Sequence, residues 1–176
     1  VDMQVKAFEH ISVRQADLPC PRVIRTGDNL PYLTLHDEDG NERLVWVLNR
    51  LPGRCYAIAE PKSDALIHDV GKVLGGFAKA IADFQHDGLD RAFKWNLMQA
   101  GWVNDQRACI PDPARRKIIE SIGLEFTRIE ADLAKLPIQA VHNDANDYNI
   151  LVAGELNAPR QVSGLIDLGD MCEAPR

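Results

Sequence analysis

Residues 141–152 read VHNDANDYNILV, and residues 164–170 read GLIDLGD. In both stretches, short apolar runs adjoin polar side chains that carry carboxylate or amide oxygens. The runs Ile150–Val152 and Val162–Ile166 predict two β-strands, joined by a turn around Gly154–Pro159. A hairpin of these strands would return the polar residues after the second strand to those before the first. The sequence therefore predicts one cluster of oxygen-bearing side chains, formed by two loops.

The polar residues have the spacing H-x-D-x-x-x-x-N, followed after the hairpin by D-x-G. This is the order of the catalytic and metal-binding loops of kinases. Transfer of a γ-phosphoryl group needs a carboxylate that accepts or orients the proton of an acceptor hydroxyl, and divalent cations that neutralise the phosphate oxygens. Mg²⁺ prefers hard oxygen ligands. The pattern predicts that Asp144 is the catalytic base and that Asn149 and Asp167 bind Mg²⁺. His142, assigned to the catalytic site with Asp144, would shape the loop through hydrogen bonds.

Each of these residues also has a simpler structural interpretation. Asp and Asn favour turns, so Asp144, Asn149 or Asp167 taken singly could cap a loop. Together, at this spacing and beside apolar strands, they favour the catalytic interpretation. His142 could serve the loop alone, without taking part in the chemistry. Asp147 is interpreted as turn-forming or solvated, although it could contact a cationic acceptor.

Two His-Asp doublets, His68-Asp69 and His86-Asp87, raise the alternative of a metal-dependent phosphohydrolase of the HD type. Such sites need further His and Asp ligands, and no other histidine lies between His86 and His142. The doublets are therefore interpreted as residues at helix ends.

The composition excludes several classes of protein. The chain has 176 residues, with 20 Lys and Arg against 26 Asp and Glu, a net charge of −6 and 45% apolar residues. A packed core is expected, while the acidic balance disfavours nucleic acid and membrane surfaces as partners, because these are held mainly by Lys and Arg. The four cysteines are far apart, so free thiols and a cytoplasmic location are predicted. No apolar run approaches the roughly 20 residues that span a bilayer.

Hydrophobic periodicity predicts an α+β fold with two lobes and a connector near residues 49–62. Helices are predicted at residues 2–16, 65–86, 93–103 and 113–136, and further strands at residues 22–25, 32–36, 44–48 and 138–141. The three tryptophans are interpreted as core or rim aromatics.

The two polar stretches resemble the paired motifs of the aminoglycoside phosphotransferase and choline kinase superfamily, which has a protein-kinase-like fold. The usual form there is HGD-x-x-x-x-N followed by IDF or IDW, whereas this chain has Asn143 in place of the glycine and Leu168 in place of the aromatic residue. The stretches HNDANDYNILV and LIDLGDM are most similar to the hydroxylysine kinase branch. Residues 91–97 resemble the R-x-x-x-W-D-L stretch of that branch, with Asn96 in place of its Asp.

By this resemblance, residues 1–52 form a partial N-terminal lobe with the hinge, and residues 53–176 form a partial, helical C-terminal lobe with both loops. Backbone groups of Leu48, Asn49 and Arg50 would contact the adenine. The nucleotide-covering loop and the phosphate-binding Lys of the family would precede this sequence, and helices that complete the acceptor pocket would follow it. The chain is therefore expected to be truncated at both ends and inactive as an isolated piece.

The resemblance implies a kinase that moves the γ-phosphoryl group of ATP or GTP, with Mg²⁺, to a hydroxyl of a small amine-bearing molecule such as hydroxylysine. The alternative is a catalytically silent regulatory or interaction domain, possibly fused to a class-III, pyridoxal-phosphate-dependent aminotransferase, as in some members of the branch. It is supported by Gln4, which occupies the position of the family's Lys-pairing Glu, with Glu9 more than a turn later.

The small N-terminal lobe also bears on association. Two or three strands leave hydrogen-bonding edges open, and an isolated hairpin is marginally stable in water. A homodimer, strand exchange or incorporation into a longer chain is therefore expected.

Overall fold

A computed structural model describes residues 1–154 and 160–176, so the turn predicted around Gly154–Pro159 falls almost entirely outside the described residues. The helices are α1 (Asp2–Arg14), α2 (Asp64–Ala80), α3 (Trp102–Gln106) and α4 (Pro113–Leu133). The strands are β1 (Val23–Ile24), β2 (Leu33–His36), β3 (Glu42–Val45), β4 (Val47–Leu48), β5 (Arg54–Cys55), β6 (Ile138–Val141), β7 (Ile150–Ala153), β8 (Gln161–Leu165) and β9 (Cys172–Pro175). The mixed helix and sheet content confirms the predicted α+β class.

Two antiparallel pairings bring the polar loops together. β7 pairs with β8, with Ile150 opposite Leu165, and β6 pairs with β9. Residues 142–149 connect the end of β6 to the start of β7, and residues 166–171 connect the end of β8 to the start of β9. We call these the catalytic loop and the metal loop. Because each loop joins the same two ladders, the loops lie side by side at one end of both.

The hydrophobic core joins α1 and α2 to these strands, and it draws residues from both sides of the proposed lobe boundary at residue 52. Its largest fully buried side chains are Phe8, Ile11, Leu66, Ile81, Leu89, Leu165, Leu168 and Met171. Helix α2 begins at Ser63, whose Oγ accepts the N–H of Leu66. Further along α2, the Asp69 carboxylate accepts the N–H of Val162 at 2.7 Å. That bond attaches α2 to the start of β8 and so supports the hairpin of the site.

The N-terminal strands form two separate antiparallel pairs, β1 with β4 and β2 with β3. The strand predicted over residues 44–48 is divided at Trp46, because this indole packs into the core near the Phe8 ring. Apolar side chains on these strands are exposed: Ile24, Leu33, Leu35, Leu44, Val45 and Val47. Their exposure agrees with the expectation of association, which stays a prediction.

Two of the predicted helices differ from those in the structure. Helix α2 ends at Ala80 instead of His86, and the chain then turns so that Ile81 and Phe84 are buried. The helix predicted over residues 93–103 is wrong. There the Asn96 side chain accepts the N–H of Met98 and starts a short 3₁₀ turn, which precedes α3.

Helix α4 follows its sequence signals closely. Asp112 caps it by accepting the N–H groups of Ala114 and Arg115, and Pro113 occupies the first turn. The four cysteines are free thiols, as predicted. Within the described residues, none of the helices combines the length and the apolar character needed to cross a bilayer.

The connector after β4 runs along the hairpin to the catalytic loop. Ser163 Oγ donates to the carbonyl of Pro52 at 2.6 Å, and β5 pairs with β7. The N–H of Ala57 then donates to the carbonyl of Asp147 at 2.8 Å. Gly53, at φ +112°, lies so close to the sheet that a Cβ there would be 2.6 Å from the Val152 carbonyl oxygen.

Gly53→Ala is therefore expected to destabilise the chain more than Gly40→Ala. Both glycines have positive φ, but among the described residues no atom lies within 4 Å of a Cβ at Gly40. Each substitution should cost about 1 kcal/mol for the left-handed backbone, and Gly53→Ala should cost roughly a further 1–3 kcal/mol for the steric conflict. Urea unfolding of both variants measures the difference, and equal losses of unfolding free energy would contradict the packing described for the connector.

Candidate active site

The catalytic loop holds the Asp144 carboxylate with its own amides. Asn146 Nδ2 donates to Asp144 Oδ1 at 2.8 Å, and Asn149 Nδ2 donates to Asp144 Oδ2 at 2.9 Å. Asn149 Nδ2 also donates to the Asp144 carbonyl at 2.8 Å, so one amide fixes both the backbone and the side chain of Asp144. Each carboxylate oxygen keeps a further lone pair for another donor.

Asn143 occupies the position where the resembling motifs have glycine. Its φ is +64°, in the left-handed region, which Asn tolerates better than most residues. Its Nδ2 donates to the carbonyl of Trp95 at 3.2 Å. Asn143 therefore adopts the left-handed conformation with which the chain turns from β6 into the loop.

His142 connects the two loops from a buried position. It is 5% exposed, its Nε2 donates to the carbonyl of Ile166 at 3.0 Å, and its ring lies 5.4 Å from that of Phe77. Burial lowers the pKa of His142, while the bond to Ile166 acts in the opposite direction. Among the described residues, the buried Nδ1 has no hydrogen-bond partner. These surroundings favour the loop-shaping role of His142 over direct proton transfer.

Asn149 and Asp167 lie on adjacent backbone segments. The N–H of Ile166 donates to the carbonyl of Asn149 at 2.9 Å, and Asp167 follows directly. Asp167 has φ +64°, and its Oδ1 accepts the N–H of Gly169 at 3.0 Å. Among the described residues, its Oδ2 accepts no protein hydrogen bond, and both side-chain bonds of Asn149 use Nδ2. One amide oxygen and one carboxylate oxygen are thus left for a cation.

This donor set fits Mg²⁺, which commonly takes one or two protein oxygens and completes its shell with water and phosphate oxygens. In the part of the chain that the structure describes, no three His, Cys, Asp or Glu residues are grouped so as to hold a metal ion. The His-Asp doublets have separate structural bonds instead, since His86 Nε2 contacts Asp2 and Asp69 binds the N–H of Val162. The phosphohydrolase alternative therefore has no support in the geometry.

The predicted adenine-contacting residues lie where β4 ends. Leu48 is paired with Val23 in the strand ladder. Asn49 donates its N–H to the carbonyl of Arg22 at 3.0 Å, and its Oδ1 accepts the N–H of Arg22 at 2.5 Å. The N–H of Asn49 is therefore already used within the protein, and Arg50 is the exposed neighbour at the start of the connector.

Helix α1 brings Gln4 close to the metal loop, since a Cβ built at Gly169 would lie 4.0 Å from Gln4 Nε2. Glu9 is elsewhere, and its carboxylate binds the guanidinium of Arg25. The residue beside the metal loop is thus a neutral amide.

Sequence reasoning did not place residues 91–97 in the site. Trp95 is 71% exposed and not part of the core, and its carbonyl holds Asn143. The Arg91 guanidinium lies 4.3 Å from the centre of the Phe93 ring. The only sequence signal for this segment was its likeness to R-x-x-x-W-D-L.

Comparison with known proteins shows that the chain is similar to phosphotransferases. The family described as "Phosphotransferase enzyme family" (APH) matches residues 1–176. Hydroxylysine kinase from Danio rerio is 27% identical over 135 residues, which are 73% of this chain and 37% of that protein. The chain thus spans little more than a third of this relative.

Two solved structures share the fold, each with a TM-score of 0.55. One is the GDP and kanamycin complex of APH(2″)-IIIa, 14% identical over 97% of this chain and 59% of the other. The second is a GDP complex of a mutant aminoglycoside 2′-phosphotransferase-IIIa, 19% identical over 98% of this chain and 59% of the other. They confirm the kinase-like fold predicted from the two motifs.

The buried His142 is expected to make stability depend on pH. Since its native pKa lies below the ordinary value of 6.5, the unfolded chain binds a proton there that the native chain does not. The free energy of unfolding should fall as pH drops below 6.5, by at most about 1.4 kcal/mol per pH unit from this group.

His142→Gln should flatten the profile of unfolding free energy between pH 5 and 7, measured by urea unfolding. His68→Gln is the matched control, because it makes the same change at an exposed histidine of α2. An unchanged slope in His142→Gln would show that His142 is not buried in the neutral form.

Proposed function

This chain belongs to the phosphotransferase enzyme family, and we propose on that basis that its protein transfers the γ-phosphoryl group of ATP or GTP to a hydroxyl of a small amine-bearing molecule. The observation that carries the proposal is the arrangement of Asp144, Asn149 and Asp167. The amide of Asn149 binds the Asp144 carboxylate, and its backbone binds the residue before Asp167. Base and cation ligands would therefore act as one unit.

Asp144 is the proposed base. Its two oxygens are oriented by the amides of Asn146 and Asn149, and the remaining lone pairs can accept the proton of an acceptor hydroxyl. The hydroxyl oxygen gains nucleophilic character as its proton moves toward the carboxylate, and it attacks the γ-phosphorus in line with the leaving nucleoside diphosphate.

Asn149 Oδ1 and Asp167 Oδ2 are the proposed ligands of Mg²⁺. When bound, Mg²⁺ neutralises the phosphate oxygens of the nucleotide. Asn149 would serve two purposes, since its Nδ2 orients Asp144 while its Oδ1 would be available to hold the cation. Leu168, which stands where the resembling motifs have an aromatic residue, is fully buried and anchors the chain directly after Asp167.

An amine-bearing acceptor suits the surface near the catalytic loop. Asp147 is an exposed carboxylate of the loop. Trp95 is bonded to the loop through its backbone carbonyl, and its indole is also exposed. Carboxylates and indole faces both attract ammonium groups. Hydroxylysine is the favoured acceptor because a hydroxylysine kinase is similar to 73% of the chain. The two solved neighbours were bound to GDP, so GTP is tested beside ATP.

A catalytically silent domain is the second candidate, and Gln4 is the observation that favours it. A neutral amide beside Gly169 cannot form the ion pair that active kinases use to place their phosphate-binding Lys. Nucleotide binding that depends on Mg²⁺ separates the two candidates, because a silent domain need not retain both cation ligands.

Asp144→Asn is expected to reduce turnover by about 10²- to 10⁴-fold, the usual effect of a lost general base, while nucleotide affinity changes little. The complete protein is first screened with amino alcohols, hydroxylated amino acids and aminoglycosides, by release of nucleoside diphosphate from ATP and from GTP. The acceptor found is then used with the variant.

The control for Asp144→Asn is Asp112→Asn, which makes the same chemical change at the start of α4, where Asn also caps helices. It should leave turnover as in the wild type. Near-normal turnover in Asp144→Asn would remove Asp144 from its proposed role, and absence of turnover with every acceptor would favour the silent domain.

Asp167→Ala is expected to weaken nucleotide binding only where Mg²⁺ is present. Isothermal titration with ATP or GTP, with Mg²⁺ and with EDTA, measures the two affinities separately. The variant should lose most of the difference between them, because it removes one of two proposed protein ligands of the cation. An unchanged Mg²⁺-dependent affinity would contradict the assignment of Asp167.

A further inference from the structure

Residues 91–96 form a segment that contacts both loops of the candidate site; we call it the brace. At one end, Arg91 Nη2 donates to the carbonyl of Gly169 at 2.7 Å and lies 3.4 Å from the carbonyl of Met171. At the other end, the carbonyl of Trp95 accepts a bond from Asn143 at 3.2 Å. The brace thus touches the metal loop and the catalytic loop at once.

The Arg91 contact acts on the residue that is bonded to Asp167. Gly169 accepts a charge-assisted bond from Arg91 through its carbonyl, and its N–H donates to Asp167 Oδ1 at 3.0 Å. Asp167 is held at φ +64°, a conformation that a non-glycine residue keeps only when its surroundings enforce it. Holding Gly169 in place therefore holds one carboxylate oxygen of Asp167, and the other is left for the cation.

Arg91 is itself fixed before it reaches the loop. Gln99 Nε2 donates to the carbonyl of Arg91 at 3.0 Å, and Gln99 Oε1 accepts the N–H of Phe93 at 2.9 Å. The guanidinium stacks on the Phe93 ring, and within the described residues it forms no salt bridge with a carboxylate. Its hydrogen bonds are therefore directed to the carbonyl oxygens of the metal loop.

The far end of the brace is anchored to the strand that follows the metal loop. Asn96 is buried, and its Nδ2 donates to the carbonyl of Glu173 in β9 at 3.2 Å. Its Oδ1 is occupied by the N–H of Met98. Asn143, the other left-handed residue of the site, is bonded to the neighbouring Trp95. Asn143 is thus bonded directly to the brace, and Asp167 is bonded to it through Gly169.

We propose that the brace sets the geometry of the cation site and that Arg91 is a positioning residue for the Asp167 carboxylate. The proposal rests on the function proposed above, because it takes Asp167 as a ligand of Mg²⁺. Arg91 contacts neither nucleotide nor acceptor in this account. It acts through Gly169, and its loss should change the response to Mg²⁺ more than the maximal rate.

The test compares Arg91→Met and Arg91→Lys with the wild type. Met removes the donors and keeps the aliphatic length, while Lys keeps one charged donor that can reach Gly169 but cannot reproduce the planar contacts of Arg. Arg116→Met is the matched control. The Arg116 guanidinium also holds a backbone carbonyl, that of Ile110 at 2.8 Å, but at the start of α4.

Amide hydrogen exchange without nucleotide tests the brace independently of any activity. Exchange in residues 166–171 should accelerate at least about tenfold in Arg91→Met, since a bond to a charged group is lost, and be unchanged in Arg116→Met. Exchange in α2 should stay as in the wild type, which shows that the variant is folded. Equal protection of residues 166–171 in Arg91→Met and the wild type would overturn the proposal.

Mg²⁺ titration of nucleotide binding and of turnover tests what the brace does. The half-saturating Mg²⁺ concentration should rise at least about tenfold in Arg91→Met and by an intermediate factor in Arg91→Lys, while kcat at saturating Mg²⁺ recovers to within about twofold. If the wild type responds to Mg²⁺ and Arg91→Met responds identically, the positioning role is wrong and the proposed function stands. If the wild type binds nucleotide without any response to Mg²⁺, both proposals fail.

Discussion

The hydrogen bonds on either side of Ile166 hold the candidate site together. Its N–H donates to Asn149 at the end of the catalytic loop, and its carbonyl accepts from His142 at the start of that loop. Asp167, the next residue, is thereby fixed relative to Asn149. These two bonds help to set the separation of the catalytic loop and the metal loop.

Buried side chains around the two loops support these bonds. His142 is buried against Phe77 of α2, so its bond to Ile166 is shielded from competing water. The fully buried Leu165 and Leu168 flank Ile166 and Asp167 and anchor the metal loop in the core. A polar site at the surface is therefore mounted on buried side chains, which is the usual way in which a scaffold keeps functional groups in place.

Much of this organisation is readable in the sequence because it depends on local patterns. Short apolar runs predicted the β7–β8 hairpin, and apolar residues at helical spacing over residues 113–136 predicted α4. The H-x-D-x-x-x-x-N spacing singled out Asp144 and Asn149, whose side chains are hydrogen-bonded. Features that depend on distant backbone atoms were not predictable. Residues 93–103 have a helical pattern, but the Asn96 side chain bonds the N–H of Met98 and the carbonyl of Glu173 in β9. Trp46 interrupts a strand pattern because its ring packs beside Phe8. In the sequence, Ile166 resembles any strand residue, although its N–H and its carbonyl both bond to residues of the catalytic loop.

Paramagnetic NMR can test whether Asp144, Asn149 and Asp167 surround one cation-bound nucleotide. Mn²⁺ replaces Mg²⁺ in a complex with a non-hydrolysable nucleotide, and the broadening of backbone amide signals reports their distance from the ion. The amide signals of these three residues and of Gly169 should disappear together, while that of Gly123 in α4 should stay sharp. Sharp signals from Asn149 and Asp167 in a nucleotide complex that contains Mn²⁺ would contradict this arrangement.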